Sequence, residues 1–180
     1  TLTQMGILVA VLIGMGTIAQ ERNRGTLSMT LSKPVRWGTF ITAKLAAMSV
    51  VFLVSLGIAS LGCYGYSAYL FEGANGVDFL LLNLLLGLYF VTCLAEVILC
   101  SSLFRNQLAA GGLALAILIT QAALTAIPSL SHYLPNGLVN WGIDIVSGAS
   151  SSAWAAVGVS IGIICVSLIA SLRILELKEL

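Results

Sequence analysis

The side chains of this sequence that could do chemistry fall into two groups. The first is a charged passage, residues 21–44, which holds five of the eight Lys and Arg residues. The second is a small set of polar side chains inside long apolar stretches: Glu96, Asn83 and Gln121. What either group can do depends on the elements that position it, and those elements follow from the composition.

The composition is that of a membrane protein. Of 180 residues, 59% are hydrophobic and only 8% are charged, whereas a soluble domain carries about 25% charged residues. A soluble domain of this size could not hide so much apolar surface, but a bilayer makes that surface the correct exterior. The net charge of +1 gives no case for nucleic acid as a partner, because binding it requires a concentrated basic face, so we expect none.

The apolar stretches predict five membrane spans, since a helix needs about 20 apolar residues to cross the hydrocarbon core. The remaining residues form a charged elbow at 21–44 and a segment at 128–152 that Pro and Gly residues break too often for it to cross. Within that segment we expect a short helix around Trp141 on the membrane surface. The predicted spans are residues 2–20, 45–70, 79–104, 108–127 and 153–172.

The basic residues predict the orientation, because Lys and Arg collect on the cytoplasmic side. With the elbow inside, Arg105 and the charged tail also fall inside, and all eight Lys and Arg residues share one side. The segment 128–152, which has no Lys or Arg, then lies outside. The same count places Thr1 outside, so we expect a further span before it and six spans in the full chain.

Glu96 is the one ionisable residue well inside a predicted span. Burying a charge there costs roughly 2.5–3.5 kcal/mol, so this side chain should be protonated, paired or facing a polar cavity. A substrate contact, a gating pair and a hydrogen bond to a neighbouring helix all fit. Asn83 and Gln121 are weaker candidates of the same kind and fit interhelical hydrogen bonds better.

The elbow is predicted to form an amphipathic helix at the cytoplasmic surface. Leu27, Leu31 and Val35 form an apolar stripe at helical spacing, and Pro34 should end or kink the helix. Lys44 can extend its ammonium group to the interface. The chemistry alone fits a lipid anchor and a docking site for another protein equally well.

The elbow also resembles a family pattern. Its letters ERNRGTL at 21–27 and LSKPVR at 31–36 are similar to the E-R-x-x-G-T-L…L-S-x-P-V-x-R pattern of type-2 ABC transporter permeases, the transmembrane subunits of many bacterial exporters. Arg36 departs from that pattern by standing one position early. The resemblance implies that the elbow is a coupling helix seated in a groove of a separate ATP-binding cassette subunit. The implied docking residues are Glu21, Arg22, Arg24, Gly25, Thr26, Leu27, Leu31, Pro34 and Arg36.

The resemblance implies the rest of the assignment as well. The fold is an all-α polytopic helical bundle in the bacterial cell (inner) membrane, surrounded by lipid. The function is that of a permease subunit of an ATP-driven exporter, paired with a second permease subunit that is identical or different. The chain has no G-x-x-x-x-G-K-[ST] motif, so we expect no cofactor on it and ATP with Mg on the partner.

Two other classes remain open from the residues alone. Ser131 and His132 could belong to a membrane-embedded enzyme, but they are adjacent in sequence and lack a G-x-S-x-G turn. A non-transporting membrane scaffold or sensor would explain the hydropathy equally well. It would not explain the charged elbow.

Overall fold

The computed structural model of the protein describes residues 2–19, 37–70, 76–104, 106–131, 133–148 and 152–178. Within these ranges the chain is built from helices and short turns, with no strand. The predicted all-α polytopic bundle is therefore confirmed. In chain order the helices are α1 (Leu2–Met15), α2 (Trp37–Leu70), α3 (Gly76–Leu103), α4 (Gln107–Leu124), α5 (Pro128–Ser131), α6 (Gly137–Val146) and α7 (Trp154–Lys178).

Four of the described helices are long and apolar enough to cross a membrane, namely α2, α3, α4 and α7. The first predicted span is shorter than expected, because α1 has 14 residues and gives way to a turn after Met15. At 1.5 Å per residue α1 is about 21 Å long, less than the roughly 30 Å of a hydrocarbon core. The counts of five and six spans therefore stay predictions.

The long helices expose apolar side chains, as spans facing lipid must. Helix α2 presents large exposed residues along most of its length, including Val50, Val54, Ile58 and Leu61. An apolar surface that extends along most of a helix would favour aggregation in water, whereas the acyl chains of lipids solvate it. Helix α2 also begins at Trp37, earlier than the predicted start of the second span at residue 45, so part of the elbow continues the membrane helix.

Helix α3 is the centre of the bundle and packs against α1, α2, α4, α6 and α7. Its residues Leu94, Val97 and Ile98 are at most 1% exposed. Helix α1 approaches α3 closely because Gly14 faces Val97, and a Cβ at Gly14 would lie 2.5 Å from Val97 Cγ1. Close backbone approach of this kind requires glycine. The result is one dense core along α3, with lipid-facing helices around it.

Helix α6 lies in the segment predicted to be outside, and it packs more deeply than a surface helix would. Leu138 is fully buried, and Gly142 faces Leu82 of α3, with its Cβ position 3.2 Å from Leu82 Cδ1. The small residue at 142 lets α6 settle against α3. Trp141 contacts Trp154 of α7, with ring centroids 5.4 Å apart.

Candidate functional site

The nine residues expected to dock a partner, Glu21 to Arg36, lie outside the described residues. The structure does describe the chain on both sides of them, up to Ala19 and again from Trp37. The site can therefore be built from the two points where this segment leaves and rejoins the bundle.

The departure point is held by one buried hydroxyl group. Ser101 of α3 is fully buried, and its Oγ accepts hydrogen bonds from the backbone N–H groups of Ile18, at 3.1 Å, and Ala19, at 3.0 Å. The same hydroxyl donates to the carbonyl oxygen of Met15 at 3.1 Å. These backbone groups have no partner within α1 because the helix ends there. Ser101 thus caps α1 from a neighbouring helix.

A second contact joins the departure point to the return point. The Nζ of Lys44 on α2 donates a hydrogen bond to the carbonyl oxygen of Thr17 and lies 5.1 Å from the ring centroid of Phe40. The hydroxyl of Thr17 contacts Met48 Sδ at 3.5 Å. The ammonium group expected at the interface is therefore used to hold the turn that follows α1.

We call Thr17, Ile18, Ala19, Lys44 and Ser101 the junction. Ser101 joins the turn after α1 to α3, and Lys44 joins the same turn to α2. Arg173 of α7 lies at the same end of the bundle, since the neighbouring Leu172 packs against Gly38, whose Cβ position is 3.5 Å from Leu172 Cδ2. The described Lys44 and Arg173 thus share one end, in agreement with the orientation derived from the charges. Sequence reasoning did not identify Ser101.

The buried carboxyl group of Glu96 is paired with Gln121. Glu96 on α3 is 6% exposed, and its Oε1 accepts a hydrogen bond of 2.6 Å from Gln121 Nε2 on α4. Its Oε2 is buried and has no hydrogen-bond partner among the described residues. The pair fixes the register of α3 against α4. It joins two of the three polar residues predicted inside the spans.

Asn83, the third of these residues, lies elsewhere. It precedes Glu96 by 13 positions, about 20 Å along α3, and its Nδ2 donates to the Phe79 carbonyl oxygen of its own helix at 2.8 Å. It lines a cavity of about 260 Å³ between α2 and α3 together with Ser60 and Tyr64. Asn83 therefore belongs to the opposite half of α3 and does not contact the Glu96–Gln121 pair.

The four apolar spans and the buried central helix define a multi-pass helical membrane protein. Over residues 2–180 the chain matches the family described as ABC-2 family transporter protein. The chain therefore belongs to this family of membrane transporter proteins.

The chain is also similar to the uncharacterized transmembrane protein YxlG of Bacillus subtilis (strain 168). The two are 24% identical over 167 residues, which cover 92% of this chain and 65% of that protein. The chain thus spans less than two thirds of the length of this relative. The multi-pass membrane location predicted from the sequence is confirmed by the spans, the family and this relative.

Proposed function

We propose that the chain is the permease subunit of an ATP-driven exporter and that it works with a separate ATP-binding subunit. The segment 21–36 is the docking element, ATP and Mg are bound by the partner, and a second permease subunit completes the substrate path. The observation that carries the proposal is the E-R-x-x-G-T-L segment in a chain that belongs to the ABC-2 family over residues 2–180.

The junction supports this proposal because it connects the chain that leads into the docking element to α2 and α3. A force applied to the segment by a partner reaches Thr17–Ala19 first, and Ser101 passes it to α3 through three hydrogen bonds. Lys44 passes it to α2. Helix α3 contacts five of the other described helices, so a displacement of its end would act directly on each of these contacts.

The Glu96–Gln121 pair fits gating better than substrate binding. Glu96 is 6% exposed and is held between α3 and α4, so a substrate could reach it only if those helices separate. Such a hydrogen bond is formed when α3 and α4 are in contact and broken when they separate. A gate requires two such discrete arrangements, one closed and one open. We assign the pair to the contact that keeps α3 and α4 together in this state.

Co-purification from native membranes in mild detergent tests the proposal. The full-length protein should retain a stoichiometric ATP-binding subunit, recognised by its own phosphate-binding motif, and Glu21→Ala and Gly25→Trp should lose it and abolish transport. Both variants should still insert and fold, because the substitutions lie in the docking segment. Tyr69→Ala is the matched control, since Tyr69 lies at the far end of α2 and is 91% exposed.

Retention of the partner and normal transport by both elbow variants would remove the elbow from the mechanism. Absence of any ATP-binding subunit, under conditions that keep other membrane complexes intact, would contradict the proposed function itself. In that case the membrane enzyme and the sensor would have to be tested.

A further inference from the structure

The carboxyl group of Glu96 uses only one of its two oxygen atoms. Its Oε1 accepts the hydrogen bond from Gln121 Nε2 at 2.6 Å, whereas its Oε2 is buried and has no hydrogen-bond partner among the described residues. The whole side chain is 6% exposed, so bulk water does not solvate it. The gating contact proposed above uses Oε1 and leaves Oε2 without a role.

The groups that face this carboxyl group supply no positive charge. Helices α1 and α4 contain no Asp, Glu, His, Cys, Tyr, Lys or Arg, and the Gln121 side chain is neutral. On α3 itself, Tyr89, Cys93 and Cys100 interact electrostatically with Glu96. Phenol and thiol groups carry no positive charge in either protonation state, so none of them offsets an ionised carboxylate.

The basic side chains of the other helices that pack against α3 are used elsewhere. Lys44 of α2 donates to the Thr17 carbonyl oxygen in the junction, and Arg173 of α7 lies at that same end of the bundle. Among the side chains that the structure describes, none forms an ion pair with Glu96, and Gln121 supplies its hydrogen bond. By sequence, the other titratable residues of α2, α6 and α7 are Cys63, Tyr64, Tyr66, Tyr69, Asp144, Cys165, Glu176 and Lys178.

A proton on Oε2 fits these surroundings better than a negative charge does. An ionised carboxylate would be an unpaired charge in an apolar interior, and proteins neutralise such a group rather than bury its charge. The acid form keeps Oε1 as a carbonyl oxygen that accepts from Gln121 and places a hydrogen on Oε2. A neutral hydroxyl group without a partner costs much less free energy than an unpaired buried charge.

Separation of α3 and α4 changes this balance. Water then reaches the carboxyl group, and a glutamic acid side chain in water is ionised at neutral pH. The packed state therefore holds one proton more than the separated state. By linkage, a rise in pH favours the state with fewer bound protons, which here is the separated state.

We propose that Glu96 is a proton-binding site: while α3 and α4 are packed together its Oε2 carries a proton, and this proton is released to water when the two helices separate. One proton leaves at each separation and returns when the helices repack, so high pH favours the open contact and low pH the closed one. The proposal rests on the gating role assigned above to the Glu96–Gln121 pair, but it requires neither ATP nor a partner subunit.

Infrared spectroscopy of the full-length protein in lipid nanodiscs at neutral pH tests whether the proton is present. We expect a C=O stretching band of a protonated carboxyl group that is lost in Glu96→Gln. Asp78→Asn is the matched control and should keep the band, because Asp78 lies in the first turn of α3. Gln121→Leu should keep the band and move it to higher wavenumber, because the Glu96 carbonyl oxygen loses its hydrogen bond. Absence of a band that depends on Glu96 would overturn the proposal.

Two native thiol groups report the separation of the helices. Cys93 and Cys100 are each 1% exposed, and they belong to the same buried cluster as Ala114 and Leu118 of α4. A charged, water-soluble methanethiosulfonate reagent therefore reaches these thiols only when α3 and α4 move apart. The rate of their labelling measures the fraction of separated molecules.

The pH dependence of this labelling tests the release of the proton. Cys63 and Cys165, which are exposed, are first replaced by Ser so that they do not contribute. Because the thiolate is the reacting form of cysteine, labelling accelerates with pH in every variant, and Glu96→Gln measures this contribution alone. With Glu96 present, we expect the rate to rise more steeply than in Glu96→Gln, by up to about tenfold per pH unit, since one proton is released.

The outcomes separate this proposal from the function proposed above. Equal pH dependence with and without Glu96 would overturn the release of the proton and leave the ATP-driven function untouched. No labelling of Cys93 or Cys100 at any pH would mean that α3 and α4 stay packed, and it would overturn the gating role together with this proposal. Neither measurement uses ATP, so failure to find an ATP-binding subunit would not change these results.

Discussion

Replacing Ser101 with alanine tests the junction directly. Ser101→Ala removes the acceptor of the Ile18 and Ala19 amides and the donor to the Met15 carbonyl. All three backbone groups sit where α1 has ended, so no helical partner replaces the hydroxyl. The substitution should therefore weaken both the bundle and the base of the docking segment.

Two estimates bound the size of this effect. Interhelical hydrogen bonds in membrane proteins average about 0.6 kcal/mol each, so three of them give about 2 kcal/mol. A buried polar group left without a partner costs about 1–3 kcal/mol, although the end of α1 can relax to recover part of that. We therefore expect a loss of about 2–4 kcal/mol. For a chain of this size that corresponds to a fall in Tm of about 4–16 °C.

Ser102→Ala is the matched control. Ser102 is also fully buried, but among the described residues its hydroxyl donates only to the Leu99 carbonyl oxygen of its own helix, at 2.7 Å. Removing such a bond should change stability by less than about 0.5 kcal/mol. Thermal unfolding of both variants in the same detergent, followed by fluorescence, measures the difference. Equal melting temperatures for Ser101→Ala and Ser102→Ala would refute the assignment of Ser101 as the cap of α1.

Two further substitutions test the core. Gln121→Leu should lower the free energy of unfolding by about 1–2 kcal/mol, because it leaves both Glu96 carboxyl oxygens without a described partner. Glu96→Gln keeps an acceptor for Gln121 and should be neutral or stabilising. If unfolding measurements give the reverse order of stability, the pairing is contradicted. Gly14→Ala should cost about 1–3 kcal/mol because the new Cβ meets the stiff Val97 side chain. Gly112→Ala is its control, because no atom lies within 4 Å of a Cβ built at Gly112. This substitution should raise stability by up to about 1 kcal/mol through helix propensity. Equal effects of the two substitutions would show that α1 does not approach α3 as described.

The helical architecture could be predicted because hydropathy reports which stretches a bilayer will accept. The short helix around Trp141 could be predicted as well, because apolar residues recur there at helical spacing. The early start of α2 at Trp37 was missed because the amphipathic residues after Pro34 fit an interfacial loop as well as a helix. Nothing in the hydropathy distinguishes those two cases.

Contacts between helices were harder to predict. The sequence indicates that Glu96 needs a partner, but it does not indicate which face of α4 turns toward α3, so the bond to Gln121 emerges only from the packing. No feature of the sequence indicated that Ser101 caps another helix. A serine in an apolar helix usually bonds its own preceding turn, as Ser102 does, and only the end of α1 beside it makes Ser101 different.

Site-specific photo-cross-linking in native membranes tests the central claim most directly. A photoreactive residue at Leu27, in the middle of the docking segment, should give an adduct that mass spectrometry identifies as an ATP-binding subunit. The same residue at Tyr69, at the far end of α2, should not. An adduct at both positions, or at neither, would contradict the claim that this permease binds its ATP-binding subunit through the segment 21–36.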